Sequence, residues 1–380
     1  MKFSDIAGHN EAKEALRLMV KNNKIPHAIL FSGISGIGKY RLARAFAQYI
    51  HCRNKTDGEP CGKCPSCLQH QKLNNPDIHF VFPIMKRDGA LVSKDYFDKW
   101  KEYIGNMSYM PPEKWNEYIN AGNSQPAIMV SESEDIIYRA SLSPYQENYK
   151  IFLIWQPEKL RIEAANKLLK IIEEPYEDTI FLLVSNDSSK ILPTVFSRTY
   201  RINLSPLDID SISEYLITQK GIDEREARTA ARISEGSMAK AEELVCFPDE
   251  SYVFIETFKR IMRTAYSCNI RELKEIADSL AAWGREKCVR FLNYFSRMLR
   301  ENFIYNLRMP QLNLMTHEEE EFSVKFAPFI HTANVETMTD ASDEAAAHIE
   351  RNANAKIVLF DFLLIIARCI RIPKNKPHIK

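Results

Sequence analysis

Residues 33 to 40, GISGIGKY, fit the pattern GxxxxGK through Gly33, Gly38 and Lys39, and place Tyr40 at the eighth position. In a glycine-rich loop of this kind, backbone N–H groups point inward at phosphate oxygens and the lysine reaches the outer phosphates. The helix that follows adds its positive end. Gly33, Ser35, Gly36, Gly38 and Lys39 supply each of these parts, so ATP or ADP is a candidate ligand. The eighth position ordinarily carries a hydroxyl that binds Mg²⁺. A phenol sits several ångströms further out on a rigid ring and cannot take that coordination position unless the helix moves. Nucleotide binding that ignores Mg²⁺ is the form expected of such a loop, and a glycine turn that merely joins strand to helix is the plainer alternative.

Hydrolysis also needs acids at the end of a neighbouring strand, to hold the metal and orient water. The candidate strand KIFLIW (150 to 155) runs into Trp155 and Gln156, neither of which can carry that charge. Glu158, beyond Pro157, reads as a surface carboxylate. Arg198, in TVFSRTY (194 to 200), lies just before a strand. Its permanent charge and forked donors suit a phosphate at a sheet edge, although, read alone, a surface ion pair is the simpler account.

A second cluster has metal-binding spacing: Cys52, Cys61, Cys64 and Cys67 lie within one short segment, with Gly58, Pro60, Gly62 and Pro65 making the turns. Four thiolates close a tetrahedral structural Zn²⁺ site with no open position for chemistry. An iron–sulfur cluster has partly overlapping spacing rules, and free thiols are the remaining alternative. The other four cysteines, Cys246, Cys268, Cys288 and Cys369, are scattered through helical-looking sequence. That distribution favours metal over disulfides in a reducing compartment.

Short apolar runs at 27–33, 78–82, 150–155, 179–185 and 201–207 alternate with helical stretches such as EAANKLLKIIEE (163 to 174). This alternation predicts a mainly parallel sheet covered on both faces, with the glycine loop between strand and helix. After 207 the strand signals fade into short helices around Gly221 and Gly236, and from about 249 longer amphipathic helices follow. The expected organisation is α/β followed by all-α: 1–206, with the cysteine module at 52–67, then 207–248, then 249–380. The segment KDYFDKWKEYIGNMSYMPPEKWNEY (94 to 118) interleaves aromatics with lysines, as a single-strand stacking platform does. Tyr96, Phe97, Trp100 and Tyr103 recur at helical spacing, which favours packing of an amphipathic helix.

With 51 Lys plus Arg against 50 Asp plus Glu, global charge names no partner. Glu318 to Glu321 reads as a solvated charge run and RIPKNKPHIK as a basic tail. No secretory signal or bilayer-length apolar run is evident, so a cytoplasmic location is the expectation.

The combination of FSDIAGH (3 to 9), HAILFSGISGIGK, the four-cysteine insert, NPDIH (75 to 79), LSPYQENYKIFLI (142 to 154), AANKLLKIIEEP (164 to 175), SRT (197 to 199), LSPL (204 to 207) and RNANAKIVL (351 to 359) resembles the bacterial clamp-loader subunits of DNA polymerase III. The likeness is to the delta prime type, a relative of the gamma/tau motor. It implies an AAA+ architecture: a nucleotide-binding-type α/β domain, a helical lid, and a helical collar through which five subunits form an open ring. Implied partners are the gamma/tau and delta subunits, with the sliding clamp and primed DNA reached through the assembly and no membrane involved. Arg198 matches the arginine of the family's SRC motif, with Thr199 in place of the cysteine, and would serve the ATP site of the next subunit. Trp155 and Gln156 fall where motors carry their acids. Ala239, in GSMAKA, falls where they carry a nucleotide-sensing arginine, with Lys240 one residue along. The expected function is a largely non-hydrolysing ring member. An autonomous gamma/tau-like ATPase and a zinc-containing DNA-binding module are the alternatives.

Overall fold

In the computed structural model, residues 1–86, 91–106, 109, 111–121, 124–246, 248–309 and 312–374 are described. The end of the basic tail, from 375, lies outside them. The chain divides into two compact units, Met1–Ala241 and Glu242–Lys380. Most of the segment expected as a lid, 207–248, belongs to the first unit.

In the first unit the apolar runs become strands β1 (Ala28–Ser32), β2 (Ile78–Val81), β3 (Lys150–Trp155), β4 (Thr179–Val184) and β5 (Tyr200–Asn203). They form one parallel sheet in the order β2-β3-β4-β1-β5. Every residue of β1, β3 and β4 is buried, which is why these strands read as unbroken apolar runs rather than alternating ones. Leu30 pairs with Leu183, which pairs with Ile154, so one row of the register crosses the three central strands. The run expected to 207 ends as a strand at Asn203, and β5 is an edge strand on which only Ile202 is buried.

Helix α1 (Asn10–Lys21) precedes the sheet, and α2 (Lys39–His51) and α3 (Pro65–Gln71) join β1 to β2. Between β2 and β3 come α4 (Phe97–Asn106), α5 (Pro112–Tyr118) and α6 (Val130–Ala140). Helix α7 (Ile162–Glu173) links β3 to β4, and α8 (Pro193–Phe196) links β4 to β5. Ala28, Leu30, Phe152, Ile154, Phe181 and Leu183 face α6 and α7, which contribute Ile136, Ala165, Leu168 and Ile172 to the same core. The carboxyl ends of the strands thus share one edge, the edge at which open α/β sheets bind ligands. Residues 207–248 hold α9 (Ile209–Lys220), α10 (Glu224–Ile233) and α11 (Met238–Cys246), with positive-φ turns at Gly221 and Gly236 as the sequence predicts.

The second unit is helical: α12 (Pro248–Ser267), α13 (Ile270–Ala281), α14 (Arg285–Asn306), α15 (His317–Phe326), α16 (Val335–Glu350) and α17 (Ala355–Cys369). They enclose a core that includes Phe258, Phe291, Phe295, Met298, Phe362 and Ile366. Glu319, within the run 318–321 expected to be solvated, is instead buried in a pair with Arg297. Among the described residues no helix is long and apolar enough to cross a membrane. The expected α/β-then-all-α organisation is the one observed.

Candidate functional site

The glycine loop has the conformation its sequence anticipates. Gly33, Gly36 and Gly38 adopt φ of 146°, 80° and 92°, where a side chain is strained. A Cβ on Gly33 would meet Leu204 O at 2.4 Å, and one on Gly36 would meet Ser237 Oγ at 2.3 Å. The turn before α11 grips the loop directly: Ser237 Oγ donates to Ser35 O at 3.0 Å and Ala239 N to Gly36 O at 3.1 Å. On the other side, His9 Nε2 donates to Ile37 O at 2.7 Å. Residues Gly33 to Lys39 are therefore held in shape by Leu204, just past β5, and by the segments around Ser237 and His9.

The lysine does not project from that cradle. Lys39 is buried and its Nζ donates to Ile34 O of its own loop. Burial pulls its pKa down to about 7, with Glu158 opposing the fall. Glu158 is thus not the surface carboxylate the sequence suggests. It is half-buried, accepts from Asn186 N at 3.2 Å, and burial raises its pKa while Lys39 lowers it. The reason is Gln156, whose φ of 58° turns the chain at the end of β3 and folds Glu158 back against β4.

Where the metal-binding hydroxyl and the first of the two acids would stand, there are rings, and the buried Gln156 stands at the second. Tyr40 is buried and meets Trp100 of α4 edge-on, with centroids 5.7 Å apart, and burial raises the phenol pKa. Trp155, at the end of β3, lies 5.1 Å from the same Trp100. Phe82 stacks on Trp100 at 4.1 Å, and Trp115 and Tyr103 complete the cluster. The cavity left over the loop, lined by Gly36, Gly38, Lys39, Tyr40, Trp155, Asn186 and neighbours, is about 20 Å³. That holds roughly one water molecule, whereas small-molecule pockets run to about 300 Å³ and more. Tyr96, Trp100, Tyr103, Tyr109 and Trp115 of 94–118 are buried, as the helical spacing favours, while Phe97 and Tyr118 are partly exposed; Trp100 and Tyr103, fully buried, cannot stack on bases.

At the far end of α2 the four cysteines do converge. Cys52 caps that helix, Cys61 lies in the turn beyond, Cys64 caps α3 and Cys67 lies within it. Their Sγ atoms all fall within 4.8 Å of one another. A Zn²⁺ with bonds of about 2.3 Å sets sulfurs about 3.8 Å apart, so a slight contraction completes the tetrahedron. The surrounding chemistry suits thiolates: Cys61 N donates to Cys52 Sγ at 3.2 Å, and Cys64 N to Cys61 Sγ at 3.3 Å. The N–H groups of Lys63 and Cys64 pull the Cys61 thiol down to about 6, whereas burial pushes Cys67 up to about 12. A buried thiol of that kind ionises only beside a cation, so the donor set fits a metal ion. Beside it His51 and His70 pair with each other at 2.9 Å, and His51 Nε2 donates to Tyr149 O. Both are occupied away from the sulfurs.

Arg198 lies in the turn between α8 and β5, its side chain 35% exposed. It pairs with Glu173 and donates to Thr194 O at 2.7 Å, so the ion-pair expectation is met.

Comparison with known proteins now bears on these sites. The family described as DNA polymerase III, delta subunit, matches residues 8–208, more than half of the chain. The chain belongs to that family of clamp-loader proteins. It is similar to the tau/gamma subunit of DNA polymerase III of Haemophilus influenzae, 25% identical over 307 residues, which cover 74% of this chain and 39% of the relative. The delta' subunit of the same organism is 29% identical over 210 residues, 55% of this chain and 52% of that one. Among solved structures, a gamma subunit-related protein of Thermotoga maritima aligns over 94% of this chain and 99% of its own, at 14% identity and a TM-score of 0.37. The chain thus spans well under half the length of the tau/gamma relatives it matches.

Within this clamp-loader chain, two motifs quoted from the sequence turn out to be one device. Asp77 of NPDIH is buried and accepts the N–H groups of Tyr145, Gln146 and Glu147 of LSPYQENYK, at 2.6 to 2.9 Å, fixing the entry to β3. Sequence reasoning missed that clamp and the buried Glu132, which holds Ser93 at the start of the aromatic segment. It also missed the partnership of Tyr40, Trp100 and Trp155; the available signal was that three of four tryptophans, Trp100, Trp115 and Trp155, lie in the first unit beside the loop.

Proposed function

We propose that the chain is a delta prime-type subunit of the DNA polymerase III clamp loader. It is a largely non-hydrolysing ring member that supplies Arg198 to the ATP site of a neighbouring subunit and helps to load the sliding clamp on primed DNA. The observation that carries this reading is the occupation of its own metal half-site by Tyr40, Trp100 and Trp155, while Arg198 stays on an exposed turn. Leaving Glu173 costs Arg198 little, because an exposed ion pair contributes about 0–1 kcal/mol. We assign 1–206 as the nucleotide-binding-type domain, 207–248 as the lid and 249–380 as the collar, with gamma/tau and delta subunits as ring partners. The cysteine site then holds a structural Zn²⁺, and the location is cytoplasmic. A fully engaged arginine finger is worth about 10³ to 10⁵ in rate. Arg198→Ala should therefore cripple ATP turnover by the reconstituted loader while the complex keeps its composition; normal turnover in a complete complex sinks the role.

The competing reading is a gamma/tau-like ATPase, supported by the intact glycine geometry and by the tau/gamma relatives. It requires ATP hydrolysis by the purified chain alone, abolished by Lys39→Ala. A zinc-containing DNA-binding module has less support, since the rings that would stack on bases are buried.

A further inference from the structure

The loop is shaped by one set of contacts and closed by another. Leu204, Ser237, Ala239 and His9 fix its backbone. At the loop Tyr109 sets a ring carbon 3.0 Å from where a Cβ on Gly38 would stand and lines the small cavity with Tyr40 and Trp155, and Trp100 of α4 is wedged between those last two rings. Lys39 Nζ donates to the Ile34 carbonyl of its own loop.

The segment that closes the loop is itself secured to the sheet independently of it. Trp115 Nε1 donates to Pro83 O at 2.8 Å, Tyr96 OH to Met85 O at 3.1 Å, and Ser93 is bound to Glu132. Phe82, at the end of β2, lies flat against Trp100. The closure is therefore an element of the domain with its own fastenings, not a rearrangement of the glycine loop.

We infer that α4 and the Tyr109 ring are a built-in plug: the phosphate site at Gly33–Lys39 is latent rather than lost, and removing the plug restores polyphosphate binding. The inference rests on the reading of this loop as the phosphate-binding type, but not on ring assembly or on Arg198, whose test can succeed or fail separately.

The test is calorimetric titration of the full-length chain with ADP and with ATP, each with and without Mg²⁺. The wild type should show a dissociation constant above about 100 µM for all four, since the apparent affinity falls with the fraction of open molecules. Tyr109→Ala, which removes the ring over Gly38 together with its contacts to Tyr215 and Arg41, and Trp100→Ala, which removes the ring between Tyr40 and Trp155, should each tighten binding by about tenfold or more, in proportion to the open fraction gained. Adding Lys39→Ala to either should erase the gain. Two results overturn the inference: wild-type binding tighter than about 100 µM that Lys39→Ala abolishes, which means that the loop is never closed, or folded variants that bind no better than wild type. If Trp100→Ala does not fold, Tyr109→Ala carries the same outcomes alone.

Discussion

Helix α2 has a chemical site at each end, and the two have met different fates. At its C-terminal end, Cys52 joins three other cysteines whose sulfurs lie within 4.8 Å of one another, in a geometry that waits only for a cation. At its N-terminal end the glycines keep their positive φ values, but the residues that would hold Mg²⁺ are rings in an aromatic core. Both ends are well packed, so packing does not distinguish a working site from a replaced one. The difference lies in what the buried atoms want. Buried thiols pushed toward the neutral form gain from a cation, whereas buried rings have no further demand once they touch one another.

The largest effect that would separate the two ends is metal loss. For a four-thiolate zinc site, binding is worth about 10 kcal/mol or more of folding free energy, so Cys67→Ser should drop metal content below one ion per chain and sharply lower the thermal midpoint. If elemental analysis finds no metal in the wild type, the contrast between the ends fails. Next is Trp100→Ala, which removes a fully buried ring and should cost about 3–5 kcal/mol in denaturant unfolding. Its sharper outcome is that metal content stays at about one ion per chain. A joint loss would mean that the ends are energetically one site.

Legibility in the sequence follows the same division. The cysteine site was readable because one residue type recurs over a 16-residue span, and the sheet because β1, β3 and β4 are buried on both faces and so are uninterrupted apolar runs. The aromatic plug was not readable, because Tyr40, Phe82, Trp100, Trp115 and Trp155 meet only once β1, β2 and β3 take their places in the sheet. Read singly, Tyr40 and Trp155 are missing ligands; together they are one side of a core. Glu158 was misjudged for a similar reason, since nothing in QPEKL announces that Gln156 takes a left-handed turn.

A smaller effect tests how the plug is fastened. Glu132 is buried, and its Oε2 lies 2.5 Å from Ser93 N and 2.9 Å from Ser93 Oγ. Ser93 Oγ also lies 2.9 Å from Phe82 O, and its single proton cannot serve both acceptors. A protonated Glu132 resolves this by donating to Ser93 Oγ, which then donates to Phe82 O. Burial, only partly opposed by the Ser93 contacts, raises the carboxyl pKa from 4.5 to about 7. A folded-state pKa raised above the unfolded one gives stability that is complete below about pH 4.5 and lost as pH rises through about 7. Relative to Glu132→Gln, the wild type should therefore lose about 2–3 kcal/mol between pH 5 and 8 in chemical denaturation. Parallel pH profiles for the two proteins would show that the carboxyl stays ionised.

The smallest effect concerns a residue that belongs to neither end. Arg198 is packed into no core, and its partners, Glu173 and the Thr194 carbonyl, lie at a partly exposed turn. If this arginine were present for the stability of its own chain, its removal would register in unfolding; an exposed pair predicts a change of at most about 1 kcal/mol. Arg198→Ala should thus leave the thermal midpoint of the isolated chain nearly untouched, and Glu173→Gln should do the same. A loss well above that in either variant would make the pair a structural fastening of α7 to β5. A near-zero change leaves the guanidinium free to exchange Glu173 for a stronger anion, and a phosphate presented by a neighbouring subunit is one its fork can grip at two oxygens.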